Sequence, residues 1–226
     1  MLNSLLHLFY PNLCITCNNS LVGNEKHLCL GCRLQLPETN FHLEKENQVE
    51  KTFWGRIPVE RAFAFLYFNQ AGLTQQLLHQ LKYKGNEELA DFLGVIYGQK
   101  LIQTIETNHI DGIIAVPLHV SKLRKRGYNQ SLAFANGLSK SLKLTNYSNV
   151  ISRKTATQTQ TKKTRIERWQ NVTSIFSVTE PEKLENKHIL LVDDVITTGA
   201  TLESCAKAIK DHCNCLLSVA SIAYVN

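Results

Sequence analysis

Beyond residue 60 the apolar positions of this chain fall into two alternating kinds of run, one with helical spacing and one nearly continuous. The stretch 61-RAFAFLYFN-69 is short, aromatic-rich and bounded by polar residues, which predicts a strand. In 73-LTQQLLHQLKY-83, Leu73, Leu77, Leu78 and Leu81 share one helical face. A longer helix is predicted from about Asn86 to Ile105, with Leu89, Phe92, Leu93, Ile96 and Tyr97 as its apolar stripe. The run 113-IIAVP-117 predicts a short buried strand, and 129-NQSLAFANGLSKSL-142 a helix. Ile189 to Val192 and 216-LLSVASIAYV-225 predict two more strands, separated by a helix from about Thr201 to Lys210.

Helices alternating with short, continuously apolar strands indicate an α/β fold with a parallel sheet covered on both faces. Ligands on such sheets sit at the carboxyl ends of the strands. Two segments fall at predicted strand ends, 116-VPLH-119 and 192-VDDV-195, and they locate the expected site.

Two regions break the pattern. Residues 1–50 hold few large apolar side chains after Tyr10 and end in the polar stretch HLEKENQVEK. A unit that small seldom folds alone; below ~40 residues a metal or disulfide is usually needed. The expected division is therefore a module over 1–50 and a main domain over 51–226. Residues 153–172 carry six basic residues against a single acid, Glu167, without sustained apolar periodicity. A solvated linker would look the same, but such a length inside one compact domain favours a functional lid.

Composition adds limits rather than direction. The chain has 226 residues, 43% of them hydrophobic, and a net charge of +6, which permits nucleic-acid or phosphorylated partners without selecting either. No apolar run approaches the ~18 residues of a membrane span. The start, MLNSLLHLFYP, lacks a basic n-region and a small-residue cleavage site. It is expected to be a docking segment of a cytoplasmic protein.

Four of the seven cysteines form C-x2-C pairs: Cys14 with Cys17, and Cys29 with Cys32. Two such knuckles, separated by residues 18–28, can converge four thiolates tetrahedrally on one zinc ion. Gly23-Asn24 and Gly31 supply the turn chemistry. The competing readings are redox dithiols and incidental core cysteines. Structural zinc supplies ~10–16 kcal/mol of folding free energy, far more than this small apolar inventory offers, so a zinc ribbon is favoured. Four thiolates leave no coordination position open for catalysis. Cys205, Cys213 and Cys215 share no such spacing and are expected in the core as small hydrophobes.

The stretch 190-LLVDDVITTGATL-202 puts two carboxylates beside a small, hydroxyl-rich turn. The backbone is expected to turn through Asp193 to Gly199 and enter a helix buried through Leu202, Cys205, Ala206 and Ile209. Such a strand–loop–helix junction is a phosphate cradle, because unpaired N–H groups point outward and hydroxyls add donors. A Walker A loop needs G-K-[ST] and a dinucleotide fingerprint needs G-x-G-x-x-G; neither occurs here. Ordinary helix capping would leave the two adjacent carboxylates unexplained.

The thirteen residues 189-ILLVDDVITTGAT-201 resemble the fingerprint of type I phosphoribosyltransferases, which bind 5-phosphoribosyl-1-pyrophosphate (PRPP). The resemblance covers roughly residues 60–226. With 81-LKYKG-85, 123-LRKRGYNQ-130 and 168-RWQNV-172 behind a four-cysteine module, the chain resembles the ComF branch, associated with DNA uptake in natural transformation. That likeness implies a type I phosphoribosyltransferase fold preceded by a zinc ribbon. It also implies that Asp193 and Asp194 meet the ribose hydroxyls, directly or near magnesium. Thr197, Thr198, Gly199, Ala200 and Thr201 would wrap the 5′-phosphate. Leu118 and His119 would meet the pyrophosphate, with Arg124 and Arg126 nearby. Residues 153–172 would form the mobile lid, bringing Lys162 and Arg165 towards the same group. One departure is Lys163, where that family's lid often has Leu.

The basic clusters, Lys122 to Arg126 and Lys154 to Arg168, suit either pyrophosphate or single-stranded DNA. Only Tyr128 and Trp169 accompany them as stacking aromatics, which favours the small anion. Two functions therefore stand: a magnesium-dependent phosphoribosyl transfer to an unidentified acceptor, or a non-catalytic DNA-uptake factor that uses PRPP as a regulatory ligand. Single-stranded DNA and competence proteins are the expected partners besides PRPP.

Overall fold

A computed structural model of the chain describes residues 11–102, 109–154 and 175–226. Of the lid expected over 153–172, all but Arg153 and Lys154 lies outside the described residues, Lys162 and Arg165 included, as do the first ten residues.

Five parallel strands form the central sheet: β1 (Ala62–Tyr67), β2 (Gly112–Ala115), β3 (Thr145–Asn146), β6 (His188–Ile196) and β7 (Leu216–Tyr224). Their spatial order is β1-β7-β6-β2-β3. A separate antiparallel hairpin pairs β4 (Ile151–Arg153) with β5 (Phe176–Val178). The apolar runs of β1, β2 and the first half of β6 are buried along their length, as expected of strands with helices on both faces.

The longer helices match their apolar stripes: α3 (Leu73–Tyr83), α4 (Glu87–Leu101), α6 (Gln130–Leu142) and α7 (Ala200–Lys210). Helices α4 and α6 meet through Gly94 and Gly137, where a Cβ on either would collide with the facing backbone. Three short helices carry no readable stripe: α1 (Leu30–Leu34), α2 (Gln48–Phe53) and α5 (Val120–Arg126). Helix α5 has no buried residue at all, so no apolar period marks it in the sequence. It is defined instead by its ends, the His119 side chain capping its start and Gly127 closing it at φ 82°.

Residues 36–53 strap the free edge of β1. The Thr39 hydroxyl donates to the Ala64 carbonyl, and the Tyr67 N–H donates to the Pro37 carbonyl over 2.8 Å. Asn47 Nδ2 donates to the Ala62 carbonyl over 2.9 Å, while Glu50 pairs with Arg61 at 2.7 Å. Leu36, Phe41, Val49 and Phe53 join the hydrophobic core. Closer to the N-terminus, His27 packs its ring on Phe92 of α4 with centroids 5.2 Å apart, so it is a packing contact rather than a free surface residue.

Among the described residues no helix is long and apolar enough to cross a membrane.

Candidate functional site

Strand β6 runs further than the sequence suggests and keeps both acidic residues inside it. Its ladder to β7 continues through Asp193 opposite Ser221, Val195 opposite Ala223 and Ile196 opposite Tyr224. The turn starts only at Thr197, because β7 offers pairing partners to that point. In a strand successive side chains leave on opposite faces, so the two carboxylates diverge rather than stack.

Asp193 Oδ1 accepts from the Ser131 hydroxyl of α6 over 2.9 Å and from the Asp194 N–H over 2.8 Å. Desolvation, reinforced by the neighbouring Asp194 charge, raises the Asp193 carboxyl to about 7. A half-buried acidic pair of this kind calls for a cation or hydroxyl donors. Asp194 already faces two cations, Lys82 Nζ at 3.7 Å and Arg126 Nη1 at 3.9 Å, both near its Oδ2.

Those cations come from the last turns of α3 and α5, and the two segments are bonded to each other. The Tyr128 hydroxyl donates to the Leu81 carbonyl over 2.8 Å and lies 3.3 Å from the Asn86 carbonyl. Burial pushes its phenol up to about 12, so it stays a donor. Arg126 donates to Gln130 over 2.7 Å, and Gln130 reaches the Leu81 carbonyl at 3.3 Å. The segments LKYKG and LRKRGYNQ are therefore halves of one cationic wall.

Beyond Ile196, Thr197 and Thr198 are exposed, and Gly199 takes φ 71° directly before α7. No side chain caps that helix, although the Ala200 N–H lies 3.4 Å from the Thr198 hydroxyl. The first N–H groups of an uncapped helix, beside exposed Ala200 and Thr201, are the kind of donors that suit an anion. Gly199 is forced twice over, by its positive φ and by Phe53, whose ring would lie 2.9 Å from a Cβ.

The remaining expected site residues occupy the loop after β2 and the start of α5. Leu118 and His119 are half-buried there, and His119 Nδ1 lies 2.7 Å from the Ser121 hydroxyl, engaged in the helix cap. Arg124 is exposed on α5, together with Lys122 and Lys125. In the β4–β5 pair Arg153 lies opposite Phe176, and the Lys154 N–H donates to the Ile175 carbonyl over 2.9 Å.

The four paired cysteines converge. The Sγ atoms of Cys14, Cys17, Cys29 and Cys32 all lie within 4.8 Å of one another, and Cys17 and Cys29 are 3.7 Å apart. Tetrahedral zinc with ~2.3 Å zinc–sulfur bonds requires edges of about 3.8 Å, so the donor set fits that ion. The Cys29 N–H points at Cys14 Sγ and the Cys32 N–H at Cys29 Sγ, at 3.4 and 3.5 Å. Against desolvation, hydrogen bonds from the Thr16 hydroxyl and backbone N–H groups hold the Cys14 thiol down at about 5. Cys205, Cys213 and Cys215 are buried in the main core, as expected.

Residues 128–225 match the phosphoribosyl transferase domain family. DNA utilization protein YhgH of Escherichia coli O157:H7 is 30% identical over 206 residues, covering 89% of this chain and 86% of the relative. Competence protein F of Haemophilus influenzae is 26% identical over 215 residues, covering 89% and 92%. This chain belongs to the ComF family. Among solved structures, the allosteric regulatory enzyme of purine biosynthesis aligns with a TM-score of 0.46 at 14% identity, over 64% of this chain and 30% of that one. The ComF-family chain thus joins a phosphoribosyltransferase domain to an N-terminal cysteine quartet suited to a metal.

Lys82, Ser131 and Arg56 were not legible as site residues. Lys82 lies within the LKYKG motif, but its aim at Asp194 depends on how α3 crosses the sheet edge. Ser131 looks like an ordinary first-turn helix residue, and Arg56 precedes the main domain's first strand.

Proposed function

We propose that this ComF-family chain binds PRPP with magnesium at the carboxyl edge of its sheet, and acts as a phosphoribosyltransferase-like protein in DNA uptake. The observation that carries the reading is the acidic pair of β6 followed, after only Val195 to Gly199, by an uncapped helix start. The two features match the two ends of a phosphoribose, hydroxyls at one and a phosphate at the other.

In this reading Asp193 and Asp194 accept from the ribose hydroxyls and are the carboxylates available to magnesium. Residues Thr197 to Thr201 hold the 5′-phosphate. Leu118, His119, Arg124 and Arg126 face the pyrophosphate, and Lys82 belongs with Arg126. Lys162 and Arg165, from the lid, would complete the enclosure and exclude water. Bound magnesium would supply positive charge against the departing pyrophosphate. Lys82 and Arg126 favour the same charge, held in place by Tyr128 and Gln130.

We further take 1–50 as a structural zinc module, 51–226 as the PRPP domain, and the protein as cytoplasmic. The names of its relatives support a role with DNA. The exposed basic face of α5 favours a second reading, in which single-stranded DNA tracks that surface and PRPP only regulates.

Titration with PRPP and Mg²⁺, followed by pyrophosphate release across candidate acceptors, tests both. Binding with turnover supports the enzyme, binding without turnover the regulated DNA factor, and no binding removes both.

A further inference from the structure

The phosphate loop is braced from outside the matched domain. The Arg56 guanidinium donates through Nη1 to the Thr198 carbonyl over 2.6 Å and to the Thr52 carbonyl over 3.0 Å. Its Nε donates to Glu203 Oε2 over 2.9 Å, and Nη2 contacts the same oxygen. Glu203 sits in the first turn of α7 and is also held by Lys207 at 2.6 Å. One side chain therefore ties the end of α2, the loop carbonyl and the first turn of the loop's helix into a single cluster.

The consequence follows from peptide geometry. The Thr198 carbonyl and the Gly199 N–H belong to one trans peptide plane and point in opposite directions. Drawing that carbonyl towards Arg56 turns the Gly199 N–H away from Arg56. Phe53 and Thr52 of α2 occupy the space beside the same glycine, within 2.9 and 3.1 Å of where a Cβ would stand. The peptide is thus held at its carbonyl by a hydrogen bond, and α2 crowds its glycine.

We propose that Arg56 is a positioning residue for the 5′-phosphate: it never meets the ligand but sets the direction of the Gly199 N–H that does. Resting on the PRPP reading above, this adds a residue just beyond the N-terminal strap, and bonded to its Thr52 carbonyl, to the recognition of phosphoribose. It also gives the strap a role beyond covering the edge of β1. Lysine at the same position can reach one carbonyl but cannot also bridge to Glu203, because it lacks the planar fork.

The test is calorimetric titration of the full chain and its Arg56→Ala and Arg56→Lys variants with three ligands in the presence of Mg²⁺: PRPP, ribose 5-phosphate and inorganic pyrophosphate. Loss of a charge-assisted, loop-orienting bond should weaken PRPP and ribose 5-phosphate about tenfold in Arg56→Ala. Pyrophosphate binding should stay within about twofold of wild type on the same scale. Arg56→Lys should fall between wild type and Arg56→Ala, and it serves as the test if the alanine variant does not fold. Unchanged ribose 5-phosphate affinity in the folded variants would overturn the proposal. So would equal losses for all three ligands, which mark a general structural role. If the wild-type chain binds neither PRPP nor ribose 5-phosphate, the phosphoribose reading itself fails and takes this inference with it.

Discussion

The Ser131 hydroxyl donates to Asp193 Oδ1 over 2.9 Å, joining the first turn of α6 to the second half of β6. It offsets part of what burial and the Asp194 charge impose, yet Asp193 still stands at about 7 against an ordinary 3.8. The carboxylate is held in an unfavourable state in the free protein, as expected where a site awaits a cation or donors.

That state has a sign in stability. Between pH 3.8 and about 7 the folded chain retains the Asp193 proton that the unfolded chain has released. Stability therefore falls as pH rises through this window, and the full cost is present above it. Asp193→Asn should be more stable than wild type at pH 8, on the order of 1–2 kcal/mol, since partial solvent access keeps the effect below the full shift. The gain should vanish near pH 4. Thermal melts with chelator and without PRPP measure it, and equal melting at both pH values would contradict the assigned burial.

Gly199→Ala should cost on the order of 1–3 kcal/mol and remove 5′-phosphate binding, because φ 71° and the Phe53 ring both oppose a Cβ. Adding Phe53→Leu should recover only the steric part. Chemical denaturation of the single and double variants checks this; full recovery in the double variant would show that backbone strain plays no part.

Arg126→Gln should weaken PRPP about tenfold while leaving the melting temperature within a few degrees, since Lys82 still faces Asp194. A large drop in melting temperature would instead mark Arg126 as a structural brace. Binding isotherms and melts on the same preparations separate the two.

Removing the metal should expose four thiols and no more. Carefully prepared protein should carry about one zinc per chain. After strong chelation Cys14, Cys17, Cys29 and Cys32 should react with a thiol reagent, while Cys205, Cys213 and Cys215 stay protected by the main core. The strap over 36–53 is held by β1 rather than by the cysteines, so phosphate binding should survive. Loss of protection at Cys205 would contradict this independence.

Much of this architecture is readable from the sequence because the deciding signals are local. Continuous apolar runs mark β1, β2 and β7, a stripe of Leu residues marks α3, and paired C-x2-C spacings mark the cysteine quartet. The extension of β6 through Asp193 and Asp194 is not local, since it depends on β7 offering partners as far as Tyr224. Helix α5 buries nothing, and α2 is too short to show a period. Lys82, Ser131 and Arg56 reach the site only through tertiary placement: α3 aims Lys82 at Asp194, α6 brings Ser131 to Asp193, and the segment after α2 carries Arg56 to Thr198.

The most direct test of the account is titration of wild type and of Asp193→Asn/Asp194→Asn with PRPP and Mg²⁺. The wild-type chain should bind. The double variant should remain folded and bind at least about tenfold more weakly, having exchanged charged acceptors for the ribose hydroxyls and magnesium for neutral amides. Equal affinity in the two proteins would contradict the assignment of the acidic pair to phosphoribose.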